Sequence, residues 1–266
     1  MSTVTISQPE LGDLLAGDDY VRQRLRPRWR DMDYLVLKDL RDLIQSQAPQ
    51  ASGRLFDYGC GAAPYRSFFQ HCAEYVAADV TPGPRVDRLL EADGLTAEPS
   101  EAYDVVLSTQ VLEHVRDPEA YLQECYRILH PGGRLILSTH GMVEEHGCPY
   151  DFHRWTSRGL ENVAADAGFT VLESVKFTAE IRGIVQLLHQ FVGHLRCRQG
   201  LVGRAFLAAL RRAYYRFCMP ILNWLGDRFP EQAVLPASHP ATLYAGVCIV
   251  AEKPRSGSKD RLSRRS

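Results

Sequence analysis

The chain has 266 residues, with 45% hydrophobic and 24% charged side chains, ordinary globular usage that excludes collagen, coiled coil and disorder throughout. Thirty-one basic residues face 32 acidic ones, so a net charge of −1 gives no global reason to expect a nucleic-acid partner. Seven scattered cysteines without a Cys-x-x-Cys pair argue against a disulfide framework or a zinc site.

The opening Met-Ser-Thr-Val-Thr-Ile lacks a secretory pattern, and the uncharged stretch 183–195 is too short to span a bilayer. A soluble, cytoplasmic protein is expected. Residues 1–17 are polar. Asp18 to about Gln47 reads helical, with Pro27 interrupting or starting a helix. Alternation then takes over: strands at 54–57, 74–79, 103–108 and 134–139, the last reached through the turn Pro131-Gly132-Gly133. Helical stretches at 63–71 and 117–129 separate them, which predicts crossover units and a mostly parallel sheet. A helix at 158–167, a strand at 170–176, an aliphatic helical stretch over 179–230 and a strand at 243–252 follow. The basic tail 254–266 is expected to be disordered.

The chemistry concentrates in Leu55-Phe-Asp57-Tyr-Gly59-Cys60-Gly61-Ala-Ala63-Pro64. A strand running into glycines predicts a tight loop with little side-chain bulk, where a ligand can reach backbone N–H groups and a helix N-terminus. Asp79, closing the next strand, can accept from both hydroxyls of a ribose. Pro64 stands where the dinucleotide fingerprint needs glycine, and Asp57 suits a ligand with a positive end better than a pyrophosphate. These two residues weigh against the rival reading, an NAD-dependent oxidoreductase.

These motifs, with Ala92-Asp93-Gly94, Tyr103-Asp-Val-Val-Leu-Ser-Thr-Gln110-Val-Leu-Glu-His114 and Leu129-His-Pro-Gly-Gly-Arg-Leu-Ile-Leu137, resemble class I S-adenosylmethionine-dependent methyltransferases of the group called methyltransferase domain 11. The likeness covers about 54–175, with Ala63 in place of the family's third glycine. It implies an α/β, Rossmann-like three-layer sandwich: a seven-stranded, mostly parallel sheet with an antiparallel last strand, plus a helical insertion before that strand. By residue, it implies that Gly59, Cys60 and Gly61 wrap the methionine portion of S-adenosyl-L-methionine, with Asp57 near its ammonium. It implies Asp79 on the ribose, Val80 on the adenine face, Asp93 and Gly94 at the adenine edge, and Gln110 beside the methionine moiety. The expected division is 1–50 cap helices, 51–178 core, 179–240 insertion or lid, 241–253 last core strand and 254–266 tail.

Candidate acid–base groups are His114, His140, His153 and Tyr150, at or just beyond strand C-terminal ends. His114 reads first as part of a structural Leu-Glu-His signature, while for His140 a pocket role and a bland one stand level. Around Tyr150, Thr156 reads as an N-cap and Trp155 as core packing, with Tyr150, His153 and Arg154 as alternatives for lining an acceptor pocket. Asp151 with His153 lacks a third ligand, so no metal is expected. From Ile181 to Gly226 there is no acidic residue but seven arginines among aliphatic and aromatic side chains. That pattern fits an ordinary helical insertion, a lid over an anionic or lipid-like acceptor, or peripheral contact with a membrane surface. The expected activity is methyl transfer to a small-molecule or lipid-linked acceptor at oxygen, with a non-catalytic cofactor-binding scaffold as the alternative. No nucleic-acid partner is expected.

Overall fold

The computed structural model describes residues 18–91, 94–147, 149–195 and 200–255. Its strands are β1 (Arg54–Tyr58), β2 (Glu74–Asp79), β3 (Arg88–Leu89), β4 (Tyr103–Thr109), β5 (Leu129–His140), β6 (Thr170–Ala179), β7 (Val234–Pro236) and β8 (Tyr244–Glu252). They form one sheet in the order β3-β2-β1-β4-β5-β8-β6-β7. Pairing is parallel from β3 through β5, and β8 lies antiparallel between β5 and β6. The C-terminal ends of β1, β2, β4 and β5 therefore share one edge. Tyr58, Asp79, Thr109 and His140 end those strands.

Alternation decides the layers. Leu55, Val105, Leu107 and Ile136 face one side, where helix α2 (Tyr34–Gln47) buries Leu40, Leu43 and Ile44. Phe56, Val106, Leu135 and Leu137 face the other, against helices α3 (Pro118–Ile128) and α4 (Ser157–Asp166) through Leu122, Cys125 and Leu160. Strand β8, covered on both faces and both edges, is buried from Tyr244 to Ala251 and reads accordingly as an unbroken apolar run. Helix α3 starts on Asp117, whose Oδ1 accepts from the Ala120 N–H at 3.0 Å, with Pro118 at the first helical position. Thr156 caps α4 through the Gly159 N–H at 3.0 Å, and Trp155 packs against the core, as expected.

Several expectations need correction. The stretch 63–71 forms only a short 3₁₀ segment, Pro64–Phe69, because the chain enters it from a left-handed residue, Ala63. Pro131-Gly132-Gly133 is absorbed into β5 as an irregularity, with the β4 register stepping from Tyr103↔Leu129 to Val105↔Arg134. The two-residue β3 is the strand that the alternation did not reveal, and β7 adds an eighth inside the stretch 179–240 read as helical. Both are too short to carry a periodic pattern.

The N-terminal part forms helix α1 (Asp18–Leu25) and then α2, separated by a turn containing Pro27. After β6 come α5 (Glu180–His194), α6 (Leu201–Ala213), a π turn (Tyr214–Cys218) and α7 (Met219–Gly226). The π turn precedes Pro220, which has no N–H and would crowd the carbonyl four residues back in a regular helix. A polar seam joins this unit to the N-terminal segment. Arg182 pairs with Asp39 and donates to the Gly226 carbonyl at 2.8 Å, while Thr178 donates to the same carboxylate at 2.8 Å. Gln186 donates to Asp33 at 2.7 Å, and Asn223 donates to the Trp29 and Asp31 carbonyls. Arg182 is only 1% exposed, so it does not belong to the basic surface that the sequence suggested.

Candidate functional site

The glycine loop after β1 folds back on the end of β2. The N–H groups of Gly59 and Cys60 both donate to the Ala78 carbonyl, at 2.8 and 2.9 Å, and the Gly61 N–H donates to Asp79 Oδ2 at 2.8 Å. This corrects the expectation of N–H groups open to a ligand: they are used inside the loop, and no α-helix N-terminus follows. The loop offers no donor cradle for a phosphate. Gly59 (φ +78°) has its missing Cβ direction filled by Val111, 2.5 Å from where that atom would lie. Ala63 takes the same left-handed region at φ +46° without being glycine.

Two carboxylates lie beneath this loop. Asp57 is buried and accepts from the Tyr75 hydroxyl at 2.5 Å. Burial, with Asp79 nearby, pushes its carboxyl up to about 7. Asp79 is likewise raised by burial, against the N–H groups of Thr81 and Gly61 that favour its charged form. Both acids sit where a positive partner would stabilise them. Asp79 already accepts from Gly61 and Thr81, yet a carboxylate has room for further donors. Val80 projects beside it, 48% exposed. Tyr20, on α1, lies over the loop, its hydroxyl 3.2 Å from where a Gly61 Cβ would stand, with the Arg24 guanidinium on its ring. Gly94 is tied by its carbonyl to the Tyr58 hydroxyl; Asp93 lies outside the described residues. Gln110, at φ +56°, binds Ser138 through its backbone N–H (2.9 Å) and side-chain amide (3.1 Å).

A second cluster forms at the ends of β4 and β5. Glu113, in a 3₁₀ turn (Leu112–His114), is fully buried, and its Oε2 accepts from the Thr139 hydroxyl at 2.8 Å. Its Oε1 lies 2.9 Å from His140 Nδ1 and 3.9 Å from His114 Nε2. At 2.9 Å the Glu113 and His140 atoms face each other without hydrogen-bond alignment, and both lack a hydrogen-bond partner. Burial would raise the Glu113 carboxyl, but the facing His140 and His114 rings outweigh it and hold it at about 2. His146 joins from the following loop, its ring 4.5 Å from that of His140 and 4.9 Å from that of His114. Burial, then the other two histidines, pushes His146 down to about 4.

The four proposed acid–base residues separate here. His140 and His114 belong to the cluster, and Tyr150 joins it only through its backbone carbonyl, 2.6 Å from His114 Nδ1, with its side chain half-exposed. His153 has its N–H on the Glu113 carbonyl at 3.2 Å, and its buried Nε2 has no partner. Arg154 is engaged structurally, on Asp151 and the Val143 and Glu144 carbonyls. Sequence reasoning passed over Glu113, His146 and Tyr20. An acid in the turn just beyond a buried strand was a usable sign for Glu113. His146 lies in a segment with no pattern, and Tyr20 lies on a helix read as a cap with no sign of which face meets the loop.

Comparison with known proteins places this geometry. Residues 28–174 match a family model described as methyltransferase domain. Ubiquinone biosynthesis O-methyltransferase from Xanthomonas oryzae pv. oryzae is 30% identical over 154 residues, covering 50% of this chain and 64% of that protein. Its counterpart from Cereibacter sphaeroides is 38% identical over 113 residues, 37% of this chain and 45% of that one. The chain thus spans less than two thirds of these relatives' length. Among solved structures, the [4+2]-cyclase SpnF superposes with a TM-score of 0.55 at 18% identity, over 96% of this chain and 98% of that one. Haemonchus contortus phosphoethanolamine N-methyltransferase 2, in complex with S-adenosyl-L-methionine, gives 0.51 at 13% identity, over 95% and 58%. The family match rests on more than half the sequence and on the same strands that bring Asp57, Asp79 and the glycine loop together, and the chain belongs to the methyltransferase-domain family of class I S-adenosylmethionine-dependent methyltransferases.

Proposed function

We propose that the protein binds S-adenosylmethionine at the β1–β2 edge and catalyses methyl transfer to a hydroxyl oxygen of a small-molecule or lipid-linked acceptor. The observation that carries this reading is the pair of buried acids, Asp57 and Asp79, beneath a loop whose amides are already used. Such a site repels a pyrophosphate and suits a ligand with an ammonium, a sulfonium and a ribose diol. When bound, the cofactor supplies an electrophilic methyl group on a positively charged sulfur. Asp57 would face the ammonium and Asp79 the ribose hydroxyls. Val80 would cover the adenine, with Asp93 and Gly94 at its edge. Gly59, Cys60, Gly61 and Gln110 would border the methionine portion, and Tyr20 would shield it from water.

A hydroxyl acceptor must lose its proton. His140 Nε2 would take it, and the Glu113 carboxylate facing Nδ1 would stabilise the resulting cation. Oxygen is also the atom named in the ubiquinone biosynthesis relatives. Helices α5–α7 would shape the acceptor side and, through their basic apolar surface, meet a lipid phase.

The test combines binding with product tracing. Calorimetry with S-adenosylmethionine should show binding that leaves His140→Ala unaffected. Methyl-labelled cofactor and host-cell extract, split into lipid and aqueous phases, should yield a labelled product. His140→Ala should slow that labelling by roughly 100-fold or more. Absence of cofactor binding overturns the proposal, and binding without labelling in any fraction would identify a non-catalytic scaffold instead.

A further inference from the structure

We propose that Glu113, His114 and His146 form a binding site for a divalent transition-metal ion, zinc in the first instance, adjoining the glycine loop. Each residue presents one ligating atom within 4.8 Å of the other two. Ligands at ~2.0 Å in a tetrahedron stand ~3.3 Å apart, so binding would draw the three atoms together. His114 Nε2 and Glu113 Oε1 are 3.9 Å apart.

The surroundings orient these ligands as metal sites orient theirs. Nδ1 of His114 lies 2.6 Å from the Tyr150 carbonyl, which fixes the proton there and leaves Nε2 as a lone-pair donor. Nδ1 of His146 lies 3.3 Å from the Glu144 carbonyl and 3.6 Å from Asp151 Oδ2, the same arrangement for a second imidazole. The Thr139 hydroxyl holds Glu113 Oε2. What remains is Glu113 Oε1, fully buried and without a hydrogen-bond partner, with the unaligned His140 Nδ1 at 2.9 Å and His114 Nε2 at 3.9 Å. A buried carboxylate oxygen in that condition is costly unless something else takes its lone pair.

Two imidazoles and a carboxylate select zinc, manganese, iron, cobalt or nickel over magnesium and calcium, which prefer all-oxygen sets. Three protein ligands leave open positions on the ion, as catalytic rather than structural metal sites do. The inference requires neither the cofactor nor the acceptor, so it can fail while the methyl-transfer reading stands.

The test uses the full chain after chelator treatment. Equilibrium dialysis with zinc should give one ion per chain, and cobalt(II) substitution should give visible ligand-field bands without the near-ultraviolet band of a cobalt–thiolate bond. Glu113→Gln, which keeps the contact with Thr139, and His146→Ala should each weaken zinc binding by more than the roughly 10–100-fold that loss of an outer partner costs. His130→Ala, at an exposed histidine, should bind as the parent does. Circular dichroism of each variant establishes that it is folded, and the parent's cobalt spectrum stands independently of the variants. Substoichiometric binding, a thiolate band in the parent, or affinity that survives both substitutions overturns the proposal.

Discussion

At Asp57 the same physics governs stability and ligand affinity. Its carboxyl titrates at about 7 in the fold against 3.8 in a free chain, so the protonated form favours the folded state. That contribution is complete below the unfolded value and is lost as pH rises through about 7. Asp57→Asn removes the dependence while still accepting from Tyr75. The ligand-free variant should therefore melt higher than the parent at about pH 8 and not in mild acid, by thermal unfolding. The same substitution should weaken cofactor binding at about pH 8 by roughly 10–100-fold, the range for losing a charged hydrogen-bond partner. In the parent, affinity should fall as pH drops through 7, since Asp57 must shed its proton to face an ammonium; a flat profile would contradict its assignment. Ala63 offers a second check. Its left-handed conformation costs an alanine more than a glycine, so Ala63→Gly should stabilise the protein by ~0.5–1 kcal/mol in denaturant titration. The Asp57, Asp79 and glycine-loop arrangement was legible because a strand, a turn and the next strand place it within a short span of chain. His146 was not legible, because only the loop after β5 brings it back over the turn that carries Glu113.

Among the elements, the strands with alternating or continuous apolar runs could be read directly, whereas β3 and β7 are too brief to show any period. Helix α5 illustrates a different limit. Its Arg182 belongs, in sequence, to a basic stretch lacking acids, and its partner Asp39 lies 143 residues away on α2. Only the tertiary structure turns a surface-like arginine into the anchor of the helical unit. Arg182→Met leaves Asp39 buried without its counter-charge, which should cost on the order of 3–5 kcal/mol in denaturant-monitored unfolding. Combining it with Asp39→Leu should recover part of that loss, because two apolar side chains replace an isolated charge. A loss under 1 kcal/mol for the single substitution would show that the seam does not hold the helices.

For the molecule as a whole, none of the described side chains of helix α6 is buried, and Val202, Phe206 and Leu210 recur on it every fourth residue, 52–85% exposed. Arg204 and Arg212 are exposed on the same helix, and Phe217 and Ile221 continue the apolar surface. Among the described residues no helix is long and apolar enough to cross a membrane. If this surface meets lipid, the protein should sediment with anionic vesicles, less so with zwitterionic ones or in high salt, and Phe206→Asp should abolish the association. Equal recovery on both vesicle types, or none on either, would count against it. The position of β8 carries a consequence of another kind. It is the last strand among the described residues, yet β6 and β7 join the remaining sheet only through it. During synthesis, β5 must wait on the ribosome with one edge unpaired until Tyr244–Glu252 has emerged from the exit tunnel. The nascent protein therefore carries an open apolar edge for as long as the helices between β5 and β8 are being made, and its yield depends on whether that edge is shielded in the interval.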